Sequence, residues 1–292
     1  MMNSVERYLA PTGLIPALAV LGGPGGTTVL AGGTDLMPQG NAGRVPAAGT
    51  LLNIRRIEAL DMIVLDGGTL VLGSLVTIGR MQKDRLVREH APMLAEVADH
   101  FASPQIRNSA TIGGNICNAS PAGDTLPALL ALDAQLELAS LAKDGTVSTR
   151  RVPIDGFFTG PGRTRRAANE LLTAIRVPLG ASGRLTRFYK AGTRPALDIS
   201  TVVIALACGR DSDGRLHGVR LALGAVAPTP LRARRAEALL EGKVLDDALA
   251  GAAARAAADE AQPIDDVRAS AWYRKELLHN MTRRMLHDAV QH

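Results

Sequence analysis

Two glycine doublets mark where this chain could do chemistry. The first is Ala31-Gly32-Gly33-Thr34-Asp35-Leu36, directly behind the apolar run Thr27-Thr28-Val29-Leu30; the second is Thr111-Ile112-Gly113-Gly114-Asn115. Glycine has no Cβ, so a ligand can approach the main chain closely and successive N–H groups can point at one anion. Two such loops converging from opposite sides would hold a pyrophosphate without lysine or arginine. Thr34 and Asn115 can each add a side-chain donor. Neither segment spells the GxGxxG of a Rossmann turn, and no GxxxxGK[ST] occurs in the chain. A tight structural turn is the ordinary explanation of either doublet taken alone.

The apolar spacing indicates which elements carry these loops. Thr12 is placed to cap a helix with the apolar face Leu14, Ile15, Leu18 and Leu21, which Gly22-Gly23 ends. Residues 27–30 read as a buried strand running into the first loop, and 51–54 as another. A hairpin follows, 62–65 against 69–72, turned by Asp66-Gly67. Met93, Leu94, Val97 and Phe101 share the face of a helix that must stop before Pro104. The second loop then leads to a helix holding Ala128, Leu129, Leu130 and Leu132. Residues 136–139 pair with 146–149 across Asp144-Gly145, and 170–177 form the last strand of this half. Gly180-Ala181-Ser182-Gly183 reads as a linker, which places a domain boundary near residue 180. Beyond it, strands at 201–207 and 219–226 turn through Asp213-Gly214. Helices at 231–241, 246–260 and 266–286 follow, the last defined by Trp272, Leu277, Leu278, Met281 and Met285. Strands followed by segregated helices make an α+β architecture.

Composition narrows the function. With 292 residues, 46% of them hydrophobic, the chain can build real cores. The first residues lack a secretory leader, and the longest apolar stretch, 202–208, is far below the roughly 20 residues of a membrane helix. A soluble, cytoplasmic protein is expected. Its two cysteines, Cys117 and Cys208, are far apart, whereas an iron–sulfur cluster ordinarily takes four thiolates. The net charge of +5 raises nucleic acid as a partner, but the arginines are dispersed and aromatics make up only 3%. Few stacking platforms are therefore available, and no nucleic-acid partner is expected.

At this point the motifs resemble a known family. Ala31-Gly32-Gly33-Thr34-Asp35-Leu36-Met37-Pro38 is similar to the first FAD loop of the medium subunit of xanthine dehydrogenase, carbon monoxide dehydrogenase and related molybdenum hydroxylases. The second doublet with its extension through Asn118-Ala119-Ser120-Pro121-Ala122-Gly123-Asp124, and Pro104-Gln105-Ile106-Arg107-Asn108 before it, resemble that family as well. So do Tyr189-Lys190-Ala191-Gly192-Thr193-Arg194 and, near the end, Gly224-Ala225-Val226-Ala227-Pro228.

The resemblance implies a fold. A two-subdomain FAD domain of the vanillyl-alcohol-oxidase (PCMH) type would cover 1–180, with subdomains at about 1–58 and 59–180. A carbon monoxide dehydrogenase flavoprotein-like domain of a small antiparallel sheet with three helices would cover 181–292. It also implies contacts: Val29, Leu30, Ala31, Gly32, Gly33, Thr34, Asp35 and Leu36 around the diphosphate, and Thr111, Ile112, Gly113, Gly114 and Asn115 closing from the other side. Asn118, Asp124, Phe101, Leu172 and Lys190 fall at further cofactor positions, with Asp124 as an acceptor for ribose hydroxyls. Four of these have a plainer reading: Phe101 and Leu172 as core, Lys190 as surface charge, Asp124 as a helix cap. Phe188 or Tyr189 could cover the flavin ring or pack in the core.

The function implied is that of an electron-relaying FAD subunit with no catalytic or metal-binding residues of its own. A small partner would hold [2Fe-2S] clusters and a large one the molybdenum cofactor, as a dimer of heterotrimers. NAD⁺, oxygen or another carrier would take the electrons. A free-standing flavin oxidase or reductase of the same superfamily is the alternative. Many such oxidases link flavin covalently to a histidine in the first loop, and here Thr34 follows Gly33.

Overall fold

The computed structural model describes residues 5–44, 49–180, 184–194 and 197–290; linker residues Ala181, Ser182 and Gly183 lie outside them. The chain opens with β1 (Arg7–Leu9), α1 (Leu14–Leu21), β2 (Thr27–Leu30), α2 (Leu36–Asn41) and β3 (Thr50–Asn53), a parallel sheet in the order β1-β3-β2. Thr12 does not cap α1. Gly13 occupies that position without a side-chain bond, and Ile15 points outward.

Next come β4 (Ile63–Asp66) and β5 (Thr69–Gly73), then helices α3 (Ile78–Lys83), α4 (Arg85–His90), α5 (Pro92–Asp99), α6 (Pro104–Arg107), α7 (Ile112–Asn118) and α8 (Thr125–Ala131). Strands β6 (Gln135–Leu141), β7 (Val147–Pro153), β8 (Phe158–Gly160), β9 (Arg163–Thr164) and β10 (Leu171–Pro178) complete this half. An antiparallel sheet runs β4-β5-β10-β6-β7. The β4–β5 turn is Gly67-Gly68, one residue later than expected, because both turn positions have positive φ. Phe101 lies beyond α5, yet still packs against the same core. The second glycine doublet is not a loop but the first turn of α7, capped by Thr111 Oγ1, which accepts from the Gly114 amide at 3.0 Å.

The remainder is β11 (Leu185–Ala191), β12 (Val202–Arg210), β13 (Leu216–Gly224), β14 (Leu231–Arg232), α9 (Arg234–Leu240), α10 (Asp247–Glu260) and α11 (Ala271–Val290). The four strands form one antiparallel sheet in chain order. The sheet is buried on both faces. Val203, Ala205 and Ala207 join the core around α5 and α8, while Val202, Ile204, Leu206 and Cys208 join the core under α9–α11. Alternate residues going to two cores explain the unbroken apolar run of β12. Leu231 and Arg232 pair with Leu223 and Ala222 as a strand instead of opening a helix.

Ion pairs tie this last sheet to the preceding half. Arg232, its side chain 3% exposed, pairs with Glu237 and reaches Asp133 at 3.1 Å. Arg220 meets the other Asp133 oxygen at 2.8 Å, and Arg234 meets Asp155.

Helix α11 starts at Ala271, later than the apolar pattern suggested, and Trp272 points to solvent. The reason is Asp266, whose Oδ1 accepts from the amides of Arg268 and Ala269 and from Arg274 Nη2 at 2.8 Å. Burial alone would raise this carboxyl, but those donors outweigh it and hold it at about 2. A depressed carboxylate contributes stability that is present above its unfolded value and is lost as pH falls toward its folded one. Asp266→Asn is therefore expected to lower the melting temperature at pH 7. The gap to wild type should close as melts are repeated from pH 4 down to pH 2; a pH-independent gap contradicts this assignment.

Candidate functional site

A cavity of about 750 Å³ opens where the first glycine loop, α7 and the start of the last sheet meet. That volume lies within the roughly 300–1,000 Å³ of small-molecule and cofactor sites. Val29, Ala31, Gly32, Gly33, Thr34, Asp35 and Leu36 line one wall, and Thr111, Gly113, Gly114, Asn115 and Asn118 the opposite one. Phe101, Asp124 and Leu172 complete it. Three expected residues do not line it. Ile112 is wholly buried in core; Leu30 follows the wall residue Val29 on β2; Lys190 stands behind Asp124.

The two loops contribute differently. In the second, the four amides of residues 112–115 already have acceptors: Ile112 N–H donates to Val76 O and Gly113 N–H to Ser74 O. Gly114 N–H donates to Thr111 Oγ1, and Asn115 N–H to Thr111 O. Its glycines answer to packing, since a Cβ on Gly113 would sit 2.6 Å from both Ser74 Cβ and Ser74 O. What this wall can offer is side chains. Asn115 Oδ1 accepts from the buried Thr125 hydroxyl at 2.6 Å, which leaves its Nδ2 as a donor.

The first loop is the reverse case. Among the described residues, the amides of Gly32, Gly33, Thr34 and Asp35 have no acceptor. Gly33, at φ +73°, turns the chain so that consecutive N–H groups form a concavity of partial positive charge. Asp35 turns its carboxylate to Gln39 Nε2, 2.6 Å away. Gly32 packs with no room to spare: a Cβ there would lie 2.1 Å from Ser109 O. That glycine lets the two walls touch at their base.

Asp124 stands at the N-cap position of α8, but its side chain makes no cap bond. Instead Oδ2 accepts from Lys190 Nζ at 2.6 Å and Oδ1 from Ser200 Oγ at 2.5 Å. Each oxygen thus holds one donor and the charge is paired with Lys190, while each oxygen keeps a second lone pair that a ligand hydroxyl can use. Burial pushes the Asp124 carboxyl up, against the pull of Lys190, Ser200 and His100. Phe188 is buried in core and Tyr189 donates to Asp288, so neither covers a ligand in the cavity.

Sequence reasoning missed several wall residues. Arg166 is pinned by its bonds to the carbonyls of Ala167 and Glu170 and brings a cation to the cavity. The local basic cluster Arg163, Arg165 and Arg166 is the sequence signal for it. Ile54 and Leu171 add apolar wall, and Asp198 and Ile199 reach in from the last sheet; nothing local announces them. The set fits FAD: unpartnered amides and an arginine for a diphosphate, and apolar Phe101, Ile54, Leu171 and Leu172 for a flat ring system.

Comparison with known proteins agrees. Residues 3–180 match the FAD binding domain in molybdopterin dehydrogenase, and 187–289 match the CO dehydrogenase flavoprotein C-terminal domain. The chain is 33% identical to the xanthine dehydrogenase FAD-binding subunit of Escherichia coli O157:H7, over 99% of this chain and 97% of that one. It is 34% identical to the carbon monoxide dehydrogenase medium chain of Hydrogenophaga pseudoflava, over 97% and 96%. The solved carbon monoxide dehydrogenase of that organism superposes with a TM-score of 0.92, covering 99% of this chain and 98% of its counterpart. Quinoline 2-oxidoreductase of Pseudomonas putida 86 superposes at 0.91 with 30% identity, covering 100% and 99%. The chain thus belongs to the family of FAD-binding medium subunits of the molybdenum hydroxylases, the xanthine dehydrogenase and carbon monoxide dehydrogenase family.

Proposed function

We propose that this subunit relays electrons within a three-component complex, from iron–sulfur clusters of a small partner, through FAD, to an external acceptor such as NAD⁺. The organic substrate is oxidised on a large molybdenum-containing partner, two such trimers associate, and the assembly works in the cytoplasm. Bound FAD supplies a carrier that accepts electrons singly and releases them in pairs. The observation that carries this reading is the run of four unpartnered amides, 32–35, facing a cavity whose other wall brings Arg166. These amides bind the diphosphate by charge-assisted hydrogen bonds. Asn115 Nδ2 donates from the second wall, while the Lys190 partner keeps the Asp124 carboxylate from repelling the phosphates. Phe101, Ile54, Leu171 and Leu172 exclude water around the ring.

The test is to purify the chain with whatever co-purifies, record the visible spectrum and release the cofactor by heat. One FAD per chain, with molybdenum and iron in other chains of the same particle, supports the proposal. FAD on a lone chain that turns over its own substrate supports a free-standing flavoenzyme instead. A colourless chain that takes up no added FAD removes both.

Cys117 offers a local check because it lines the cavity. Burial pushes its thiol up, with Arg166 pulling the other way, so alkylation of the FAD-free chain is expected to be slow. Saturating FAD should abolish it, while Cys208, 1% exposed, stays unmodified in both states. Equal labelling of Cys117 with and without FAD, read by mass spectrometry, counts against this cavity as the flavin site.

A further inference from the structure

Asp124 belongs to the FAD domain, yet both hydrogen-bond donors to its carboxylate come from the C-terminal domain. Lys190 is the penultimate residue of β11, and Ser200 lies just before β12. Lys190 Nζ also donates to His100 O at 3.0 Å, next to the wall residue Phe101. Ser200, 1% exposed, is held from behind: Thr201 N–H donates to Ala191 O at 2.8 Å, and Arg274 Nη1 donates to Thr201 O at 2.7 Å. The Ser200 hydroxyl is therefore delivered to Asp124 by a braced backbone.

We propose that Ser200 is a positioning residue for the flavin site: its hydroxyl fixes the Asp124–Lys190 pair in the cavity wall, so that the C-terminal domain sets cofactor affinity. This rests on the FAD reading above. An ionised carboxylate in a buried wall needs donors on both oxygens. Without the hydroxyl, Oδ1 is left unsatisfied and the charged form is disfavoured. Protonation of Asp124 in turn breaks its ion pair with Lys190, one of the contacts that fasten β11 to the cavity wall. The groups facing Asp124 are Lys190 from β11, Ser200 from the approach to β12 and His100 beyond α5. Loss of Ser200 therefore moves Asp124 further up and loosens the wall at a pH where the wild type is still intact.

The experiment is FAD titration of the full-length apo chain from pH 5 to 9, followed by flavin fluorescence, for wild type, Ser200→Ala, Asp124→Asn and the double variant. Ser200→Ala is expected to weaken binding roughly tenfold at neutral pH, equivalent to about 1.4 kcal/mol. The pH below which affinity falls should move upward relative to wild type. In the Asp124→Asn background, Ser200→Ala should add little, because its effect passes through the carboxylate. Unchanged affinity in Ser200→Ala overturns the inference. So does a full tenfold loss persisting in the Asp124→Asn background, which would mark Ser200 as mere packing. A wild-type chain that binds no FAD overturns the functional reading and this inference with it.

Discussion

Gly32→Ala is expected to weaken FAD binding by at least tenfold to a hundredfold while leaving a folded chain. The new methyl would lie 2.1 Å from Ser109 O and 2.8 Å from Ser109 C, both backbone atoms that cannot rotate away. Relief requires moving the first loop off the segment that leads into α7, which pulls the four free amides out of register with the opposite wall. Overpacking of this kind costs about 1–3 kcal/mol, and a ligand that needs both walls loses a comparable share of its affinity. The control is Gly251→Ala. That glycine lies inside α10 with nothing within 4 Å of its would-be Cβ. It should leave FAD binding unchanged and raise stability by about 0.5–1 kcal/mol. Isothermal titration of FAD into both variants decides the matter: equal affinities would mean that the walls do not act together.

The second large effect is on stability. Arg232→Ala is expected to destabilise the chain by up to about 3–5 kcal/mol, because it removes both guanidinium hydrogen bonds from the buried Glu237 carboxylate and leaves it, as counter-charge, only the longer 3.6 Å contact with Arg234. Glu237 is 8% exposed at its side chain, and its Oε1 also accepts from the Leu221 amide at 2.9 Å, so it cannot turn to solvent. The melting temperature should fall by on the order of 10 °C. Arg220→Ala removes a third-exposed partner of Asp133 and should cost less than about 1 kcal/mol. Replacing both buried charges, with Arg232→Met and Glu237→Leu, should recover part of the loss. If Arg232→Ala melts no lower than Arg220→Ala, the buried Arg232–Glu237 pair does not brace β14 against α9 as described.

The strands and helices with strong periodicity were legible from sequence: β2, the β6–β7 hairpin and α10 follow from alternation, turn glycines and alanine-rich helix propensity. The failures have a common cause. Gly113 and Gly114 are poor helix formers and read locally as a loop. They fold as a helix because Val76 O and Ser74 O take the amides of Ile112 and Gly113, and only glycine fits against Ser74. Trp272 was assigned inward by apolar spacing, but Asp266 holds the preceding turn and sets where α11 begins.

The same division holds at the site. The sequence by itself singled out the two glycine segments that line the cavity, and which motifs mark the chain as an FAD-binding subunit, because glycine doublets and motif order are properties of contiguous residues. Only the tertiary structure decided that the first loop keeps its amides free while the second spends its own on the fold. It also decided that Arg166, Ile199 and Ser200 reach the same wall as Asp124. Those residues are far apart in the chain, and packing between domains, which no local pattern encodes, is what brings them together.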